Sequence, residues 1–327
     1  MQFPKRGEIR IQDVNVEREP ESADIFDPEK EISLDDWRQI IIALNTIFHR
    51  LRADGAHGAP FRTECATLIA LIRPHIFEEL PAVIREASLF DKDAIEHELR
   101  INFSNKIRLI KSIEKGNDPS EKEMLEDKYL SLLEFGFTSK VLFPQTPFEV
   151  PKKMQRKIQK KILKIAGGSW WEYTPNDTET LPRLAAAVRI YGDENQEEIK
   201  NELETVAEAM LDEAKEAHDD NNEYICTAGW LRVISPDLFK AKIKCDTEVF
   251  KKMIEDTKTR IQKIKTFTSE AYFEAYYEGE NILKTILALT ILSAEKVWVD
   301  ETGLHYTMPS APPHVSKIPP IPPHLNF

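Results

Sequence analysis

The C-terminal stretch reads Pro309-Ser310-Ala311-Pro312-Pro313 and then Ile318-Pro319-Pro320-Ile321-Pro322-Pro323. Proline fixes φ and removes an amide donor, so such a stretch is confined to extended, polyproline-type backbone and cannot supply a helix or a core. The sequence before it has the opposite character. It holds few glycines, 11 in 327 residues, and long runs of Leu, Ile, Ala, Glu and Lys, which favour helices over tightly turned sheets. The expectation is an all-α body that carries an extended tail of the kind partner surfaces grip.

With 41% hydrophobic residues the body can bury one large core or two ordinary ones. A formal net charge of −12 excludes a surface coated with phosphate-binding groups but leaves room for a local basic groove. Cys65, Cys226 and Cys245 are far apart and lack CxxC spacing, so neither a disulfide framework nor a zinc site is expected. A reducing, cytoplasmic setting fits, or a virion if the protein is viral. Met1-Gln2-Phe3-Pro4-Lys5-Arg6 leads into acidic sequence rather than an apolar run, so no signal peptide is expected. The longest apolar run, Ile282 to Leu292, contains Lys284 and is too short to cross a bilayer.

Five segments follow from the punctuation of the chain. Residues 1–32 hold Pro4, Pro20, Pro28 and the acids Glu17, Glu19 and Glu21, with one short apolar alternation, Ile9-Ile11-Val14-Val16. They read as an extended N-terminal arm, because so little apolar surface cannot offset the cost of ordering. Residues 33–150 read as a first helical lobe. A helix opens at Ser33 with Asp36 in a capping-box arrangement, and Leu34, Trp37, Ile41, Leu44, Phe48 and Leu51 form its core face up to Gly55. After a loop over 54–60, the spacing predicts a helix from Thr63 to Ile72, a boundary at Pro81, and a stripe Ile95, Leu99, Phe103, Ile107, Ile110 and Ile113 that ends at Gly116. A helix opened by Asp118-Pro119 then carries Leu125, Tyr129, Leu132 and Leu133 to Gly136.

Residues 151–177 form a basic helix and a Gly-rich connector, 178–297 a second helical lobe with helices at 181–191, 194–218, 222–233, 246–267 and 279–296, and 298–327 a short hairpin and the Pro-rich arm. In the hairpin Val297-Trp298-Val299 and Leu304-His305-Tyr306 flank Asp300-Glu301-Thr302-Gly303.

The basic helix carries Lys152, Lys153, Arg156, Lys157, Lys160, Lys161 and Lys164, seven cations in thirteen residues, and Trp170 and Trp171 follow for base stacking. Cations on one helix beside aromatic rings suit an RNA backbone. The same run also suits a solvated helix whose lysines answer acids elsewhere in the chain. The eight histidines are dispersed with no HExxH, and Gly167-Gly168-Ser169 lacks the lysine of a P-loop, so no metal and no cofactor are expected.

Two short patterns carry resemblances. Arg52 and His57 have the Arg-x4-His spacing that resembles the motif of HEPN-type ribonucleases, although Gly55 and Gly58 suggest a turn where that family needs a helix. Pro309-Ser310-Ala311-Pro312 resembles the late-domain motif by which viral proteins recruit the ubiquitin-E2-variant domain of the sorting machinery. The whole reads first as a non-enzymatic, self-assembling structural protein of viral capsid or nucleocapsid type. It would be a homo-oligomer formed by arm exchange that encloses or binds RNA, similar in organisation to helical coat proteins of partitivirus-like particles or to two-lobed nucleoproteins. A cellular adaptor with a Pro-rich docking tail is the alternative, and the ribonuclease a second.

Overall fold

The computed structural model describes residues 26–53, 58–116, 118, 125–145, 148–157, 225–226, 228–229, 232–233, 247–265, 272–300 and 303–309, which are mostly helical and end in a two-stranded hairpin. Helix α1 (Pro28–Glu31) is one turn with proline at its first position, and the Asp27 carboxylate accepts from the Glu29 amide at 3.1 Å. Phe26 and Ile32 on either side of it are fully buried. The arm expected through residue 32 therefore gives way to packed structure by Phe26. Two large apolar side chains, each worth about 1.5–3 kcal/mol when buried, outweigh the local proline signal.

Helix α2 (Leu34–Ala53) begins with the expected capping box: Ser33 Oγ accepts from the Asp36 amide at 3.1 Å and Asp36 Oδ2 from the Ser33 amide at 3.2 Å. It buries Trp37, Ile40, Ile41, Leu44, Ile47, Phe48 and Leu51, whereas Leu34, expected on the core face, lies at the first helical position and is exposed. Helix α3 (Gly58–Ile72) starts five residues before the expected Thr63 (63 − 58). Pro60 is tolerated because the first turn has no intrahelical use for its amide, and Gly58 lies close against α2, where a Cβ would stand 3.3 Å from the Arg52 backbone.

Short helices α4 (Ile76–Glu79) and α5 (Pro81–Glu86) and a 3-10 turn (Ser88–Phe90) lead to α6 (Lys92–Lys115). Asp91 caps α6 by accepting from the Ala94 amide at 3.0 Å, and the expected stripe Ile95, Leu99, Phe103, Ile110 and Ile113 is buried, with Ile107 partly so. Helix α7 (Leu125–Leu142) does not stop at Gly136. An interior glycine costs only about 1 kcal/mol, and the buried Phe137, Thr138 and Ser139 beyond it hold the helix to the core.

Helices α8 (Thr247–Lys265) and α9 (Tyr272–Ser293) follow. Gly279, expected to open the last helix, instead lies within α9 where α2 approaches: a Cβ on it would meet Leu44 Cδ2 at 2.8 Å. Strands β1 (Lys296–Asp300) and β2 (Gly303–Thr307) pair antiparallel with Val297 opposite Tyr306 and Asp300 opposite Gly303, which is the expected hairpin.

Helix α9 packs on α3, α2 and α8, α8 also packs on α2, and α6 packs on α7 and α3. Thus α8 and α9, assigned by sequence to the lobe at 178–297, share a hydrophobic core with helices assigned to the lobe at 33–150. Residues 158–224, which hold most of the expected connector and the first helices of the expected second lobe, lie outside the described residues. Among residues 225–233, Gly229 fits against α9, where a Cβ would come within 3.1 Å of Ala288 Cα. The Arg232 guanidinium donates to the carbonyls of Ile291 at 2.8 Å, Leu292 at 2.5 Å, and Ala294, so it serves as a side-chain cap for the carbonyl end of α9.

Candidate functional site

The chain's two described ends meet at one corner. The Phe26 amide donates to Ser293 Oγ at 2.8 Å, which fastens the start of the body to the end of α9. From the other end, the Tyr306 hydroxyl donates to the Ile72 carbonyl at 2.5 Å, and Val297 and Leu304 are buried, so the hairpin lies on the end of α3. Burial pushes the Tyr306 phenol well above its ordinary range, and the charges of Glu29 and Asp27 add to this. Buried Arg73 joins the pieces. Its guanidinium donates to Glu79 at 2.6 and 3.2 Å and to the Ile32 carbonyl at 3.5 Å, and the hydrogen bond holds the Glu79 carboxyl below the usual carboxylate range. Lys258 of α8 reaches Glu31 of α1 at 2.6 Å.

On the hairpin's outer face Trp298 stacks on His305 with ring centroids 5.3 Å apart, and Lys296 Nζ lies 5.0 Å from the indole. Pro309 is two residues past β2, while Ser310, Ala311 and Pro312 of the docking motif lie outside the described residues.

The basic helix is described over 152–157, where it is helical. Phe148 packs on Phe103 at 5.6 Å and lies under the Arg100 guanidinium at 4.7 Å, and Met154 is buried, so the segment runs along α6. At its far end Lys157 Nζ meets Glu114 Oε1 at 2.5 Å, and the Tyr129 hydroxyl donates to the same oxygen. Burial pushes the Glu114 carboxyl up, but the hydrogen bonds from Lys157 and Tyr129 and the charges of Lys157 and Lys153 outweigh it and leave the group below its ordinary value.

Of the RNA-binding candidates, Lys153 and Arg156 are exposed, whereas Lys157, 42% exposed, is committed to Glu114. Lys160, Lys161, Lys164, Trp170 and Trp171 lie outside the described residues. Sequence reasoning did not find Glu114. Its signal was an isolated acid in the otherwise basic second half of α6, but its partner is 43 positions away.

Arg52 is exposed in the last turn of α2, which ends at Ala53, and His57 lies outside the described residues. A second polar group was not foreseen: on α9 Lys284 Nζ lies 3.6 Å from Glu280, and the charges of both act on the buried thiol of Cys65 on α3. Burial, then the Glu280 charge, drives the Cys65 thiol well above its ordinary range, and burial with Glu280 pushes the Tyr276 phenol up to about 12. A thiol held protonated is no nucleophile, so this group's chemistry is that of packing. Among the described residues no group of three or more His, Cys, Asp or Glu side chains is placed to hold a metal ion, and none of their helices is long and apolar enough to cross a membrane.

No family model matches the chain, and neither a curated protein nor a solved structure matches it.

Proposed function

We propose that the protein is a non-enzymatic structural subunit, of capsid or nucleocapsid type, that assembles with copies of itself through residues 1–25 and 310–327 and holds RNA. The observation that supports this reading is the shared corner at which the body receives one flank and releases the other, fixed by the Phe26 to Ser293 and Tyr306 to Ile72 hydrogen bonds. Two flanks rooted together are offered to a neighbour together, so one interface engages both and each strengthens the other's local concentration there. The proline-rich flank enters such an interface with little conformational entropy left to lose.

Light scattering on the full-length protein tests this. A mass of many subunits supports it, and a monomer that persists at high concentration moves the reading to an adaptor whose tail serves a different protein.

A further inference from the structure

We infer that the C-terminal half of α6 and the segment 152–157 together form one basic stripe that binds the phosphate backbone of a nucleic-acid chain, an inference that rests on the RNA part of the function proposed above. On α6, Arg108, Lys111 and Lys115 recur at i, i+3 and i+7, share a face, and are exposed. Lys111 lies one turn before Glu114 and Lys115 directly after it, and Glu114 is the residue on which Lys157 rests. The contacts of Phe148 with Phe103 and Arg100 before the stripe, and of Lys157 with Glu114 at its end, lay the chain from 148 to 157 along α6. The second element adds exposed Lys152, Lys153 and Arg156.

On a chain with net charge −12 these two adjoining elements carry six exposed cations. The like-charge pairs Lys111/Lys115 and Lys152/Arg156 at i,i+4 disfavour their own helices, a repulsion that a bound polyanion relieves. Four of the six are lysines, with no aromatic anchor among them, which is the reverse of what a protein partner's buried interface selects and is what a phosphate chain uses. The pair Lys157 to Glu114 acts as a fastener between the two elements.

The test is anisotropy of a labelled single-stranded oligouridylate titrated with full-length protein over a series of salt concentrations. Wild type is expected to bind with steep salt dependence. The variants K111E/K115E and K153E/R156E should each lose affinity and lower the slope of log K against log salt by about 1.4, at about 0.7 per phosphate contact. If a reversed pair impairs folding, K111Q/K115Q and K153Q/R156Q carry the same comparison. Wild-type binding with no loss in the α6 variants, no wild-type binding, or equal affinity for polyglutamate would each overturn the inference. Light scattering of the same samples separates the two ideas, since loss of assembly with oligonucleotide binding intact removes only the assembly reading.

Discussion

The Phe26 backbone amide and the Ser293 hydroxyl, 267 positions apart, form a buried hydrogen bond of 2.8 Å. It joins the first described residue to the last turn of α9, the helix against which α2, α3 and α8 all pack. Local propensity has no part in it. Removing the acceptor strands a buried amide, so Ser293→Ala is expected to cost about 1–3 kcal/mol in urea unfolding. A loss under about 0.5 kcal/mol, less than one ordinary hydrogen bond, would show that the Phe26 amide finds another partner.

Gly229 and Ala288 test how tightly the 225–233 segment is held to α9. A methyl on Gly229 would meet Ala288 Cα at 3.1 Å, Cβ at 3.2 Å and the carbonyl oxygen at 3.3 Å, and two of these atoms belong to helix backbone that cannot rotate away. Gly229→Ala should destabilise by about 1–3 kcal/mol through overpacking. In a double-mutant cycle with Ala288→Gly the two changes should be non-additive, and strict additivity would contradict the contact.

Acid should weaken the fold through Glu79 and Glu278, in addition to Glu114. Hydrogen bonds from Arg73 and Arg260 hold Glu79 and Glu278 below their ordinary range. The folded values are thus lower than the unfolded ones, and the unfolded chain binds more protons. Each contribution is present above the ordinary glutamate pKa of about 4.3 and is lost as pH falls through the lower folded value. Stability measured by denaturation should decline with falling pH in that window, and E79Q/E278Q should flatten the decline. An identical slope in the double variant would exclude these pairs as its source.

Cys65 should be inert in the native protein. Its thiol is buried and held protonated, so alkylation at mildly alkaline pH should modify it only as fast as the protein unfolds. Mass spectrometry of the modified peptide reads this directly. Labelling at the rate of a free thiol in folded protein would show that the α3 to α9 packing is open.

The features legible in the sequence were those with local causes. The Ser33/Asp36 box, the stripe of α6 and the hairpin all depend on residues within a turn or two of each other. Misreadings arose where tertiary packing overrode a local signal. Gly136 and Gly279 looked like ends of helices and lie inside them, and Pro28 looked like part of a free arm and opens a turn between two buried apolar residues. The basic run was plain in the chain, but its neighbour α6 was not, because periodicity reports which face is apolar and not what covers it. For the same reason the packing of α9 on α2 and α3 across more than two hundred residues left no trace in the composition.

The mass of the full chain, measured by light scattering beside chains that lack residues 1–25 or 310–327, bears most directly on assembly through the flanks. Large assemblies of the full chain are expected, with either deletion reducing them to small species whose melting temperature is unchanged. Assemblies that survive both deletions, or a full chain that stays monomeric at high concentration, would contradict the proposal.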